Sequence, residues 1–245
     1  MNENYDDNLN DDTVVASPLK SKLALDIGLI DISGSTGIKV NELTKLMIML
    51  ESMKNLFLRL GRSTANSVFR FAIIVFDTKT EYLLTSDGNK IFTASEGLDV
   101  LKNADLKPRG GTDIGKALIT AHDLSEEFFL STGEPGKVSV FLMTDGKSNP
   151  EAAKKAAIEL KAGINSPVLS TISYGMDAND SLLKEISSEA SDEQKQVLRK
   201  AGLLNSLEDG KLFVKAHDEN GVVTEEKIEI VRNFSLVISQ TIAKD

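Results

Sequence analysis

The chain has 245 residues, 41% of them hydrophobic, no cysteine and a formal net charge of −9. Its length and apolar content suffice for one large core with appendages, and the absence of cysteine excludes disulfides, thiolate metal sites and cysteine nucleophiles. The acidic balance argues against nucleic-acid backbones and anionic membranes, which need concentrated Lys and Arg, and leaves open partners that bring cations or basic surfaces.

Glu3, Asp6, Asp7, Asp11 and Asp12 lie in a stretch without hydrophobic periodicity, which cannot bury enough surface to offset its ordering entropy. Residues 1–20 therefore read as a disordered acidic tail ahead of a domain over 21–245. No apolar run reaches the roughly eighteen residues of a membrane span, and the start is not basic and then apolar. The expectation is a cytoplasmic protein without signal peptide or anchor.

From Leu23 to Ile30 the chain is apolar, interrupted at Asp26 and Gly28, and then turns polar over Asp31-Ile32-Ser33-Gly34-Ser35-Thr36-Gly37. This predicts a strand and a loop. Val40, Leu43, Met47, Leu50, Met53, Phe57 and Leu60 recur at helical spacing and predict a long helix that ends at Gly61. Val68 to Phe76 reads as a strand buried on both faces, with Tyr82 to Leu84 as its short antiparallel edge partner. An irregular stretch then leads to Pro108-Arg109-Gly110-Gly111-Thr112-Asp113, ahead of a helix carrying Ile114, Leu118, Ala121, Leu124 and Phe128.

Val138 to Met143 is the next buried strand and runs into Thr144-Asp145-Gly146. Asn149 before Pro150 has the form of an N-cap with proline at the first helical position. A strand at Val168 to Tyr174, a helix through Leu182, Leu183 and Ile186, a helical segment from Asp192 to Leu204, a short strand at Leu212 to Val214 and a helix through Ile228, Val231 and Ile238 complete the pattern. Strands alternating with helices predict a doubly wound α/β fold: a mostly parallel central sheet, one short antiparallel edge strand and helices on both faces.

In such a sheet the carboxyl ends of the strands share one edge, where ligands bind. Asp31-x-Ser33-x-Ser35, Thr112 and Asp145 each fall after a strand or before a helix and so converge on that edge. Two carboxylates and three hydroxyls offer oxygen only, the donor set of a hard cation. Mg²⁺ is the natural occupant, with Mn²⁺ or Ca²⁺ as substitutes. Taken singly, each cluster is an ordinary turn or helix cap; it is the order and context of all three that point to metal. Asp113 reads as a helix-start carboxylate rather than a ligand. His122 and His217 lack the partner pattern of zinc ligands.

Asp31-Ile32-Ser33-Gly34-Ser35, Gly111-Thr112 and Thr144-Asp145-Gly146 resemble the metal-ion-dependent adhesion site of von Willebrand factor type A domains, over roughly residues 22 to 243. The resemblance implies that Ser33, Ser35 and, with ligand bound, Thr112 coordinate the ion directly, with Asp31 and Asp145 acting directly or through water. Thr36 stands where many relatives carry methionine. Phe141 to Gly146 and Tyr174-Gly175-Met176-Asp177 to Ile186 further resemble the bacterial TerY-type branch, which implies an intracellular stress or tellurite-resistance system. The added helical segment near Asp192 to Leu204 departs from that branch. The expected function is a metal-dependent protein-binding module whose partner supplies an Asp or Glu carboxylate, without enzymatic activity.

The alternative is a Mg²⁺-dependent phosphoryl-transfer enzyme with Asp31 as nucleophile and Lys147 steadying phosphate. Ser33 stands where such an enzyme needs a second carboxylate. A P-loop is excluded, because Gly34-Ser35-Thr36-Gly37 lacks the Gly-Lys-Ser/Thr spacing.

Overall fold

A computed structural model describes residues 23–40, 42–62, 66–133, 136–176 and 178–242. The expected acidic tail and Asp177 lie outside them. In chain order the elements are β1 (Leu23–Asp31), a 3₁₀ turn (Gly34–Gly37), β2 (Lys39–Val40), β3 (Leu43–Thr44), α1 (Lys45–Gly61), β4 (Phe69–Phe76), β5 (Thr80–Tyr82), α2 (Ala94–Asn103), α3 (Ile114–Thr132), β6 (Gly136–Thr144), α4 (Pro150–Ala162), β7 (Val168–Ser173), α5 (Asp180–Ile186), α6 (Asp192–Lys200), β8 (Phe213–Lys215) and α7 (Glu225–Ile242).

The main sheet has the order β5-β4-β1-β6-β7-β8. Every pairing in it is parallel except that of β4 with β5. β1 lies at its centre with successive side chains entering opposite cores. Ala24 and Ile30 join the layer with α1, α2, α6 and α7, and Leu25, Ile27 and Leu29 join the layer with α3, α4 and α5. Burial on both faces is why these strands read as near-continuous apolar runs. Gly28 interrupts β1 because α1 packs close: a Cβ there would lie 2.9 Å from the Met53 terminal methyl.

The structure corrects four expectations. The first helix begins at Lys45, because Val40 and Leu43 pair in the small antiparallel hairpin of β2 and β3. Its buried face runs through Leu46, Met49, Met53, Leu56, Phe57 and Leu60, whereas Met47 is exposed. The antiparallel edge strand is Thr80–Tyr82, two residues earlier than expected, since Asp77 folds the turn directly after β4 by accepting the Lys79 N–H at 2.7 Å. The stretch expected to be irregular contains α2, started by a reciprocal capping box between Thr93 and Glu96. The last short strand is Phe213–Lys215.

Candidate metal centre

β1 and β6 are neighbours, and the chain leaves β1 toward β4 on one side and later returns to β6 on the other. The carboxyl ends of β1 and β6 therefore flank a topological switch point, where the connections diverge and leave a crevice. Asp31 is the last residue of β1, and Asp145 immediately follows β6. Both are fully buried.

The two carboxylates are held in place by donors from the turn after β1, the end of β6 and the start of α1. Asp31 Oδ1 accepts the Ser33 N–H at 2.7 Å, and Asp31 Oδ2 accepts the Thr144 hydroxyl. Ser35 Oγ donates to Asp145 Oδ1 at 2.7 Å, and Lys45 Nζ donates to Asp145 Oδ2 at 2.7 Å. The Ser33 and Ser35 hydroxyl oxygens lie 3.1 Å apart. Thr36, the departure from the family pattern, is fully buried and closes the 3₁₀ turn by donating its hydroxyl to Ser33 O at 2.8 Å. Burial pushes the Asp31 carboxyl up to about 6, against the hydrogen bonds from Thr144 and Ser33 that favour its ionised form; the neighbouring Asp145 adds a further upward push.

Thr112 arrives from the loop before α3. A Cβ on Gly146 would collide with Thr112 Oγ1, so the glycine after Asp145 is what lets this loop close on the site. The loop is tied down from both sides. Arg109 N–H donates to Ile32 O at 2.7 Å, Gly34 N–H to Gly110 O at 3.2 Å and Asp113 N–H to Asp77 O at 2.8 Å. Asp77 also accepts Arg109 Nε at 3.0 Å. Burial opposes ionisation of Asp77, but the Lys79 N–H and the Arg109 guanidinium outweigh it and hold this carboxyl below its usual range.

The structure thus brings Asp31, Ser33, Ser35, Thr112 and Asp145 to one place. Asp113 caps α3 by accepting the Lys116 N–H, as its position predicts. His217 is buried beside the Ser173 hydroxyl, and His122 lies against Asp123. Three residues of the site escape sequence reasoning: Lys45, Asp77 and Thr144 as the clamp on Asp31. Lys45 carries no signal in the sequence, because its place in the first turn of α1 emerges only once Val40 and Leu43 are seen to form a hairpin.

Among the described residues no group of three or more His, Cys, Asp or Glu side chains converges to hold a metal. An ion at this edge must rely on hydroxyls beside the two carboxylates. The geometry suits that: two oxygen ligands at right angles around an ion of Mg²⁺ size stand about 3 Å apart, and the Ser33 and Ser35 hydroxyls are at 3.1 Å. Two carboxylates and three hydroxyls around a buried edge are chemistry for a hard divalent cation.

Among known proteins, the von Willebrand factor type A domain family matches residues 27–209. No curated protein matches the chain. Similar solved structures include proximal thread matrix protein 1 from the mussel byssus, 21% identical over 89% of this chain and 48% of that one, with a TM-score of 0.58. The same mussel protein with a zinc-occupied MIDAS motif is 18% identical over 88% of this chain and 48% of that one, with a TM-score of 0.59. The manganese-loaded Plasmodium vivax TRAP protein is 20% identical over 87% and 73% of the two chains, with a TM-score of 0.55. The pilus adhesin SpaC from Lactobacillus rhamnosus GG is 11% identical over 91% and 31%, with a TM-score of 0.60. The chain spans about half the length of the mussel protein. At these identities the likeness carries the fold alone.

Proposed function

Since the chain belongs to the von Willebrand factor type A domain family, we propose that it is a divalent-metal-dependent protein-binding module whose ion sits among Asp31, Ser33, Ser35, Thr112 and Asp145. The observation that carries this reading is the Ser33–Ser35 hydroxyl pair, 3.1 Å apart, beside two buried carboxylates at the switch point of the sheet. That zinc and manganese occupy related structures supports a divalent ion here; Mg²⁺ is the choice the oxygen donor set favours, with Mn²⁺ or Ca²⁺ able to replace it.

A bound ion supplies a positive centre with an open coordination position. The chain's own residues do the rest: Thr144 and the Ser33 N–H orient Asp31, Ser35 orients Asp145, and the Arg109–Asp113 loop presents Thr112. On a protein of net charge −9, an acidic partner is repelled except where a cation reverses the field locally. An Asp or Glu carboxylate from the partner is therefore the ligand that fits the open position. We place the module in an intracellular bacterial stress or tellurite-resistance-like system and in the cytoplasm, on the resemblance of Phe141 to Gly146 and Tyr174 to Ile186 to the TerY-type branch. No described helix is long and apolar enough to cross a membrane.

A phosphoryl-transfer reading is disfavoured by the same geometry. Asp31 is fully buried with both oxygens already accepting hydrogen bonds, the opposite of an exposed nucleophile, and Lys147 is exposed. The test is capture of partners from the native cell by the wild-type chain and by Thr112→Ala, each in Mg²⁺ and in excess EDTA. The proposal expects a set of proteins lost with EDTA and weakened by Thr112→Ala while metal affinity changes little. Identical capture in all four arms places the interface elsewhere.

A further inference from the structure

The edge that the proposed ion would occupy already holds a cation of the protein's own. Lys45 Nζ lies 2.7 Å from Asp145 Oδ2, and the two side chains are 7% and 0% exposed. With Ser35 on the other oxygen of Asp145, that carboxylate is fully engaged. Lys45 is the first residue of α1, whose first turn holds no acidic side chain; an ammonium there opposes the positive end of the helix dipole and loses most of its hydration. Both costs are accepted only because of Asp145. The path is open as well, since Gly175 leaves room where a Cβ would lie 2.7 Å from Lys45 Nζ.

Two carboxylates against one ammonium give the site's own side chains a single net negative charge. A divalent ion entering beside the ammonium meets a like charge at close range in a poorly screened setting, and it leaves the edge net positive. An arriving carboxylate removes that excess. We propose, on the strength of the metal reading above, that Lys45 is a tethered competitor for Asp145. It keeps the resting affinity for divalent ions low and makes ion capture depend on an anionic ligand that arrives with it.

The test is calorimetric titration of Mn²⁺ into the full chain, wild type against Lys45→Met, which keeps the length of the stem and removes the charge. Each titration is run in sodium acetate and in sodium chloride at equal ionic strength, acetate being the simplest carboxylate probe. In chloride the variant is expected to bind Mn²⁺ at least about tenfold more tightly, the lower end of what a close charge pair contributes. Acetate should tighten binding to the wild type more than to the variant. Lys45→Gln should move in the same direction as Lys45→Met, and the Mn²⁺-induced rise in melting temperature should be larger in both variants, which keeps the comparison readable if one of them folds poorly.

Equal or weaker Mn²⁺ binding in both variants overturns the role given to Lys45 while leaving the metal site standing. An acetate effect of equal size in wild type and variants overturns the coupling to an anionic ligand. No Mn²⁺ binding by wild type and variants alike overturns the metal reading, and this inference with it.

Discussion

Strand β1 carries two aspartates with no solvent exposure, Asp26 within the strand and Asp31 at its carboxyl end. Around Asp31 the turn after β1 supplies a backbone N–H and the end of β6 a hydroxyl. Around Asp26 the supply is poorer. It pairs in register with Ser139 on β6 and lies under α7, and neither carboxylate oxygen has a hydrogen bond of ordinary geometry. The hydroxyls of Ser139, Ser235 and Ser239, also buried, likewise make no hydrogen bond of ordinary geometry among the described residues. Burial accordingly drives Asp26 up to about 7, with Ser239 and Ser139 offsetting only part of it. The same side chain on the same strand is thus well supplied with donors at the sheet edge and a stability burden in the core, and the difference lies in which donors the fold delivers to it.

The largest expected effect comes from breaking the well-supplied end. Asp145→Ala strands the Lys45 ammonium in a buried site, and losing one partner of a buried pair costs about 3–5 kcal/mol. Denaturant unfolding should show this as a lower midpoint. The double variant Asp145→Ala/Lys45→Met should recover most of it, and a recovery of nothing would mean that the two charges are not coupled.

A comparable change of opposite sign is expected at Asp26. Its carboxyl titrates near 3.8 when unfolded and about 7 when folded. Between those values the folded chain holds a proton that the unfolded chain has released, so stability falls as pH rises from about 4 to about 7. Asp26→Asn removes the titration. It should flatten that limb and stabilise the protein at pH 8, with an upper bound on the order of 4 kcal/mol from the size of the shift. Thermal melts across pH 4 to 8 decide it; parallel curves for wild type and variant would show Asp26 to be ionised without penalty.

These two aspartates also show what a sequence can reveal. Asp31, Ser33 and Ser35 stand within one turn, so their proximity is local; the strand end before Asp145 is marked by an apolar run that stops at polar residues, and Thr112 by two glycines ahead of a helix. The sheet's parallel character was legible for the same reason. Lys45 and Asp77 were not, because their roles exist only once α1 and the β4–β5 turn are folded against β6 and the Arg109 loop. The start of α1 was misplaced because Val40 and Leu43 happen to continue its helical spacing although they belong to a hairpin. α2 was missed although Thr93 and Glu96 spell a capping box, since Gly97 and the charged residues around it weaken the apolar stripe; Gly97 is there because a Cβ would meet the Phe57 ring at 2.7 Å.

The smallest effect serves as a control remote from both aspartates. Thr93→Ala removes the cap of α2 and should cost about 1 kcal/mol, seen as a modest fall in melting temperature, with divalent-ion affinity unchanged. A change in that affinity would mean that the site is coupled to α2 through the core around Phe57.

In the proposed function, the hydroxyls of Ser33 and Ser35, beside buried Asp31 and Asp145, hold a divalent ion. Mn²⁺ titration followed by electron paramagnetic resonance tests it directly, comparing the wild type with the double variant Ser33→Ala/Ser35→Ala, which leaves every formal charge in place. The expected result is one bound Mn²⁺ per wild-type chain and none in the double variant at the same concentrations, with circular dichroism unchanged. Equal Mn²⁺ binding by the two proteins, or none by the wild type, would contradict it.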